Sequence, residues 1–159
     1  MTHDYKRNGT TTLFAALNTL DGKVIGQCLP HGITIRSFYD SCTINRQTPK
    51  GLDLHLIVDN YGTHTHHEVT DWLAKHPRFH MHFTPTSASW LNLVERWFRE
   101  ITEKRIRRGV FRSVEALVAA IMEYLDANNA KPKAFIWTAS TQTILSKVRQ
   151  ANEALETPR

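Results

Sequence analysis

The stretch Leu54-His-Leu-Ile-Val-Asp-Asn-Tyr-Gly-Thr-His64 decides how the rest of the chain is read. Leu54, Leu56, Ile57 and Val58 form a short apolar run with β-branched residues at its end, and the turn formers Asn60 and Gly62 follow directly. That combination predicts a buried strand closed by a sharp turn. Asp59 stands where strand meets turn, and a carboxylate there costs stability unless its charge is compensated. Open α/β sheets bind ligands beyond the carboxyl ends of their strands. Asp59 therefore faces the expected mouth of a site, as metal ligand or general base. An Asp that merely caps its own turn has the same local signature.

Around this stretch lies a chain of 159 residues, long enough for one domain with a real core. A hydrophobic fraction of 41% and a charged fraction of 22% are those of a globular protein. The net charge of +5 favours a polyanionic partner. Cys28 and Cys42 fit a reduced intracellular protein better than a disulfide scaffold, and neither CxxC nor zinc-ribbon spacing occurs. No apolar run approaches the roughly 18 residues of a membrane span, and no signal peptide is recognisable. A cytoplasmic location is expected, without a membrane partner.

Upstream, Thr10–Leu17 and Lys23–Leu29 read as two strands joined by the turn residues Asn18 to Gly22, a hairpin. Pro30 to Gly51 allows a helix or an irregular crossover. Downstream, Thr63 to Lys75 reads as a helix stopped by His76-Pro77, with Val69, Trp72 and Leu73 on one face. Arg78 to Thr84 reads as a strand, with Phe79, Met81 and Phe83 on one side and His80 and His82 on the other. Trp90 to Arg108 predicts a long amphipathic helix with Leu91, Val94, Trp97, Phe98 and Ile101 inward, ended by Gly109. Ser113 caps a further helix from Val114 to about Asn128. Lys131 to Thr138 reads as extended, and Thr141 to Ala151 as a last short helix.

Two carboxylates stand out: Asp59 ends a strand, and Glu95 follows a Thr-Pro-Thr-Ser-Ala-Ser-Trp loop on a helix, with 35 residues between the two acids. Hard divalent cations take carboxylate oxygens as ligands. Two such ions roughly 3.5–4 Å apart activate the attacking oxygen and stabilise the leaving one in phosphodiester chemistry.

The segments Leu56-Ile-Val-Asp-Asn-Tyr-Gly-Thr-His64 and Phe83-Thr-Pro-Thr-Ser-Ala-Ser-Trp-Leu-Asn-Leu-Val-Glu95, followed by Trp97-Phe98, carry a specific resemblance. Arg108-Gly-Val-Phe-Arg-Ser113 and Lys133-Ala-Phe-Ile-Trp137 add to it. The chain resembles the catalytic domain of DDE transposases of the mariner superfamily, bacterial insertion-sequence branch, over nearly its whole length. The resemblance implies a ribonuclease H-like α/β fold, a mixed sheet flanked by helices. It also implies Mg²⁺ or Mn²⁺ and the cutting and joining of DNA ends. Asp59 matches the second acid of the family's triad and Glu95 the third. The family's first acid lies on the first, central strand, upstream of the segment that aligns with Met1. Asp4, Asp21, Asp40 and Asp53 are the remaining early acids, and none ends a central strand. The expectation is a single, N-terminally truncated catalytic domain over residues 1–151, lacking that strand, with a loose tail at 152–159. Its partners would be DNA, as transposon ends and target, and either a second copy or an upstream transposase segment. When bound to DNA it would be nucleoid-associated.

Arg99, Lys104, Arg105, Arg107, Arg108 and Arg112, with Arg96 beside them, make a basic run that also contains Glu100 and Glu103. It is either a solvated helix face or a track for a DNA backbone, and a neighbouring phosphodiester site favours the track. Trp90 is placed either to stack on a base or to fill a core. His64, His66 and His67 lack a recognised zinc spacing. Two rivals remain to the catalytic reading: a non-catalytic DNA-binding or dimerising remnant, and an inert decayed product.

Overall fold

Asn18 begins and Gly22 completes the turn that folds the first third of the chain back on itself. Gly22 N–H donates to the Asn18 carbonyl at 2.8 Å, and Gly22 takes a φ of +77°, which L side chains rarely adopt. A Cβ at Gly22 would also lie 2.0 Å from the Lys133 carbonyl oxygen, so the turn needs glycine for conformation and for space. The turn joins β1 (Thr11–Leu17) to β2 (Val24–Pro30) in antiparallel register from Leu17↔Val24 to Thr11↔Pro30. The computed structural model describes residues 9–30, 44–59, 67–84, 92–134, 136 and 140–156.

After a short helix α1 (Ile44–Gln47), the Asp59 stretch forms β3 (Leu54–Val58), the expected strand, but it is covered on one face only: His55 and Ile57 on the other face are exposed, Ile57 by 57%. Helix α2 (His67–Lys75) follows, and β4 (Phe79–Phe83) returns parallel to β3, from Leu54↔Phe79 to Val58↔Phe83. Then come α3 (Leu93–Ile101), a π-helical turn (Thr102–Ile106), α4 (Val114–Ala130) and α5 (Thr141–Glu156). Ser113 caps α4, its hydroxyl accepting from Ala116 N–H at 3.1 Å. The helix read over Pro30 to Gly51 falls largely outside the described residues. Helix α5 runs to Glu156, past the expected end at Ala151, because Asn-Glu-Ala-Leu-Glu is mostly good helix-forming sequence.

The hairpin is covered on both faces, which explains the continuous apolar run Leu13-Phe14-Ala15-Ala16-Leu17. Phe14, Ala16 and Ile25 pack on a cluster of Ile44, Val69, Trp72 and Phe79 that also holds Leu54, Leu56 and Met81. The opposite parity, Leu13, Ala15, Leu17, Val24 and Cys28, packs on Trp97, Ile101, Ile121 and Leu125 from α3 and α4. Gly26 lies on that second face, where a Cβ would meet Leu125 Cδ1 at 2.4 Å, so α4 sits close over the strand. Burial raises the Cys28 thiol pKa above its ordinary value, which keeps the thiol uncharged.

Asn129, near the end of α4, ties this layer to the hairpin. Its side-chain amide donates to the Val24 carbonyl and accepts from the Val24 N–H, both at 2.8 Å. The amide thus does for β2 what a neighbouring strand would, and Val24 is only 1% exposed.

The expected single mixed sheet is present as two separate two-stranded sheets among the described residues, β1–β2 antiparallel and β3–β4 parallel. The edges of β1 and β3 carry no strand partner among those residues. No helix among them is long and apolar enough to cross a membrane.

Candidate active site

Asp59 directly follows β3 and is half-buried. The strand end beneath it is pinned: Val58 is 9% exposed, and its carbonyl accepts from Thr84 N–H at 2.8 Å, extending the ladder one step past β4. Because β3 and β4 are parallel, their carboxyl ends share one side, and Asp59 stands on that side beside the buried Thr84. This is the placement read from the sequence, on a strand whose inward residues are Leu54, Leu56 and Val58.

Glu95 occupies the first turn of α3 and is exposed, its N–H donating to the Asn92 carbonyl at 3.1 Å. The helix under it is anchored by Trp97 and Ile101, 6% and 1% exposed. Arg99, one turn on, is exposed on the same side as Glu95. Helix α3 begins at Leu93; Trp90 and Leu91 lie outside the described residues.

The other early acids are differently placed. Asp21 sits in the hairpin turn and accepts from Lys23 N–H at 2.9 Å. Asp53 precedes β3, at the opposite end of the strand from Asp59, roughly 20 Å away at 3.3 Å per residue. Asp4 and Asp40 lie outside the described residues. Of the two acids singled out by the sequence, Asp59 thus directly follows β3 and Glu95 stands in the first turn of α3.

The basic run does not continue as one α-helix. Arg107 N–H reaches the Thr102 carbonyl at 2.9 Å, five residues back, and the Thr102 hydroxyl donates to the Phe98 carbonyl at 2.7 Å. The signal is in the sequence: a straight helix would carry Lys104 and Arg105 into the core after Ile101, whereas the next apolar residue is Ile106. The extra residue in the turn brings Ile106 against the Trp97–Ile121 cluster and turns the cations out.

Two of the six named cations are then spoken for. Lys104 Nζ lies 2.7 Å from Glu100 Oε2, and its hydrogen bond holds the Glu100 carboxyl below its ordinary pKa. Arg105 Nη2 lies 2.7 Å from Glu123 Oε2 on α4. Arg99, Arg107, Arg108 and Arg112 are exposed, and no carboxylate faces them among the described residues.

The family described as DDE superfamily endonuclease matches residues 2–118, well over half of the chain, a span that contains Asp59, Glu95 and the basic run. This chain belongs to the DDE endonuclease superfamily. It is similar to the insertion element IS630 uncharacterized 39 kDa protein of Shigella sonnei, 29% identical over 77 residues. Those residues are 48% of this chain and 22% of that protein, so the chain matches less than a quarter of its relative's length. No solved structure matches.

DDE superfamily nucleases use divalent metal ions, and the donor chemistry here fits one. Asp59 and Glu95 offer carboxylate oxygens, the ligands hard cations prefer. Among the described residues no set of three ligating side chains stands ready around one ion.

For the basic run the ion pairs sharpen the expectation of a DNA contact. The chain should bind duplex DNA weakly and without sequence preference, and binding should weaken steeply with salt as phosphate contacts release counterions. Replacing Arg99, Arg107, Arg108 and Arg112 together with Ala should lower the log–log salt slope by about one for each phosphate no longer neutralised. Replacing Lys104 and Arg105 should change it less, because each already faces a carboxylate. Fluorescence anisotropy across a salt series measures both. An unchanged slope in the quadruple variant would make the run a solvated face.

Proposed function

We propose that this chain is the Asp59- and Glu95-bearing part of a transposase catalytic domain with a ribonuclease H-like fold, acting in metal-dependent cleavage and transfer of DNA strands. The observation that carries the reading is the pairing of two acids inside one family match. One directly follows a parallel strand, and the other stands exposed in the first turn of a helix anchored on the hairpin. In this reading Asp59 and Glu95 hold Mg²⁺ or Mn²⁺, which when bound supplies activation of the attacking oxygen and charge stabilisation on the leaving one. Arg99, Arg107, Arg108 and Arg112 hold the backbone of transposon end or target against the acids. Trp97 and Ile101 keep the helix that presents Glu95 fixed on the hairpin.

The same reading assigns the edges of β1 and β3, unpaired among the described residues, to a further strand, which the resemblance implies carries the first acid of the triad. The 159-residue chain assayed by itself should therefore leave a duplex carrying the element's ends uncut in Mg²⁺ or Mn²⁺. Supplying a segment that carries such a strand and its Asp should restore nicking. Cutting by the chain alone that disappears in Glu95→Ala would instead mean that Asp4, Asp21, Asp40 or Asp53 completes the set. Salt-sensitive DNA binding without cutting under any complementation would favour a non-catalytic, DNA-binding or dimerising role, for which the exposed arginines and open strand edges also speak.

A further inference from the structure

The outward face of the β3–β4 sheet carries a cluster that the acid site does not use. Side chains alternate across a strand. With Leu54, Leu56, Phe79 and Met81 turned to the core, His55, His80 and His82 all stand exposed on the other face. The parallel register sets His55 directly beside His80, with His82 one step along the diagonal. The His55 ring centroid lies 4.9 Å from that of His80 and 5.1 Å from that of His82. His55 Nδ1 and His82 Nε2 lie 2.9 Å apart. Asp53 Oδ1 is 4.0 Å from His80 Nε2.

Two imidazole nitrogens this close have to share a proton, because two facing lone pairs repel and two facing N–H groups clash. A metal ion can take the proton's place. Imidazole nitrogens bind zinc at about 2.0–2.1 Å, so two donors on one ion stand roughly 2.9–3.4 Å apart for angles between 90° and tetrahedral. The His55–His82 pair already has that separation, but its two nitrogens face each other nearly head-on, so both rings must turn for their lone pairs to meet on one ion. Ligating histidines commonly give their second ring nitrogen to a carboxylate. Asp53 is placed to take that role for His80, which must also swing to join. No three ligating side chains already surround one point among the described residues, and that swing is what the closed site would add.

The geometry points to a second metal site, separate from the acids, in which His55 and His82, joined by His80, chelate one borderline divalent transition-metal ion such as Zn²⁺. Neutral imidazoles select Zn²⁺, Ni²⁺ or Cu²⁺ over Mg²⁺ and Mn²⁺, which prefer oxygen. The bound ion would clip β3 to β4, the strand pair whose end carries Asp59.

The test is calorimetric titration of the full chain with Zn²⁺ in excess Mg²⁺, at a pH where the imidazoles are neutral. One Zn²⁺ per chain should bind, with affinity unchanged in the Asp59→Asn, Glu95→Gln double variant and in His67→Ala. His55→Ala and His82→Ala should each weaken binding at least about tenfold, and His80→Ala less. Zn²⁺ should raise the thermal unfolding midpoint of the wild type and leave that of the His55→Ala, His82→Ala double variant where it was. All three rings are exposed, so the variants should fold; His55→Gln and His82→Gln, which keep a polar side chain of similar length, repeat the test if an alanine variant does not. Equal affinity in wild type and the double variant, loss of binding only on removal of Asp59 and Glu95, or no saturable Zn²⁺ binding would each overturn the site.

Discussion

In the chain complemented as proposed above, Glu95→Gln should abolish DNA strand cleavage while leaving the fold intact. The substitution keeps the size of the side chain and removes its charge. A carboxylate that binds a catalytic cation contributes through that charge, and metal-assisted charge stabilisation is worth several kcal/mol. Losing about 4 kcal/mol slows the reaction roughly a thousandfold. Structure argues for a small effect on stability. Glu95 is exposed, and no ion pair is assigned to it among the described residues. What remains is its favourable position in the first turn of α3, worth about 0.3–1 kcal/mol against the helix dipole. Nicking rates in Mg²⁺ and Mn²⁺, set beside the thermal unfolding midpoint, separate the two effects. Cleavage within tenfold of wild type would remove Glu95 from the site. Asp59→Asn should slow cleavage comparably, with a larger cost in stability because Asp59 is half-buried at a pinned strand end.

Trp97→Ala should be the most damaging single change to the fold, costing about 3–5 kcal/mol. That is a large part of the roughly 5–15 kcal/mol that holds a domain together. Trp97 is 6% exposed and central to the cluster that joins α3 and α4 to the hairpin. Its ring meets Phe98 edge-on at 5.6 Å and Tyr124 at 6.3 Å. Truncation opens a cavity that α3 fills only by moving, and Glu95 would move with it. Trp97→Phe is the informative companion. The indole N–H is buried with no hydrogen-bond partner among the described residues, and an unsatisfied buried donor costs about 1–3 kcal/mol. Phenylalanine loses part of the ring and that penalty together, so it should fall within about 1 kcal/mol of wild type. Urea denaturation of the three proteins decides. Equal losses for Phe and Ala would mean that the indole N–H is satisfied and the ring edge does the packing.

The sequence by itself determined the features that depend on neighbours along the chain. Turn chemistry at Asn18 and Gly22 and the opposite parities of Phe79–Met81 and His80–His82 are local signals. So is the Ser113 cap. The position of Asp59 at a strand end follows from the same reasoning, and the spaced motifs around Asp59 and Glu95 pointed to the DDE family before any fold was in view. Only the tertiary structure decided what meets across space. The hairpin's burial on both faces, the amide of Asn129 standing in as a strand for Val24, and the neutralising of Arg105 by Glu123 join residues up to 105 positions apart. Charge alone made the cations of the basic run equivalent, and the fold sorted them by which carboxylates α3 and α4 bring within reach. The π-turn stands between the two cases. The five-residue step from Ile101 to Ile106 is legible, but an α-helical reading carries a basic side chain inward there, and only packing against Ile121 makes the extra residue worth its poorer hydrogen bonds.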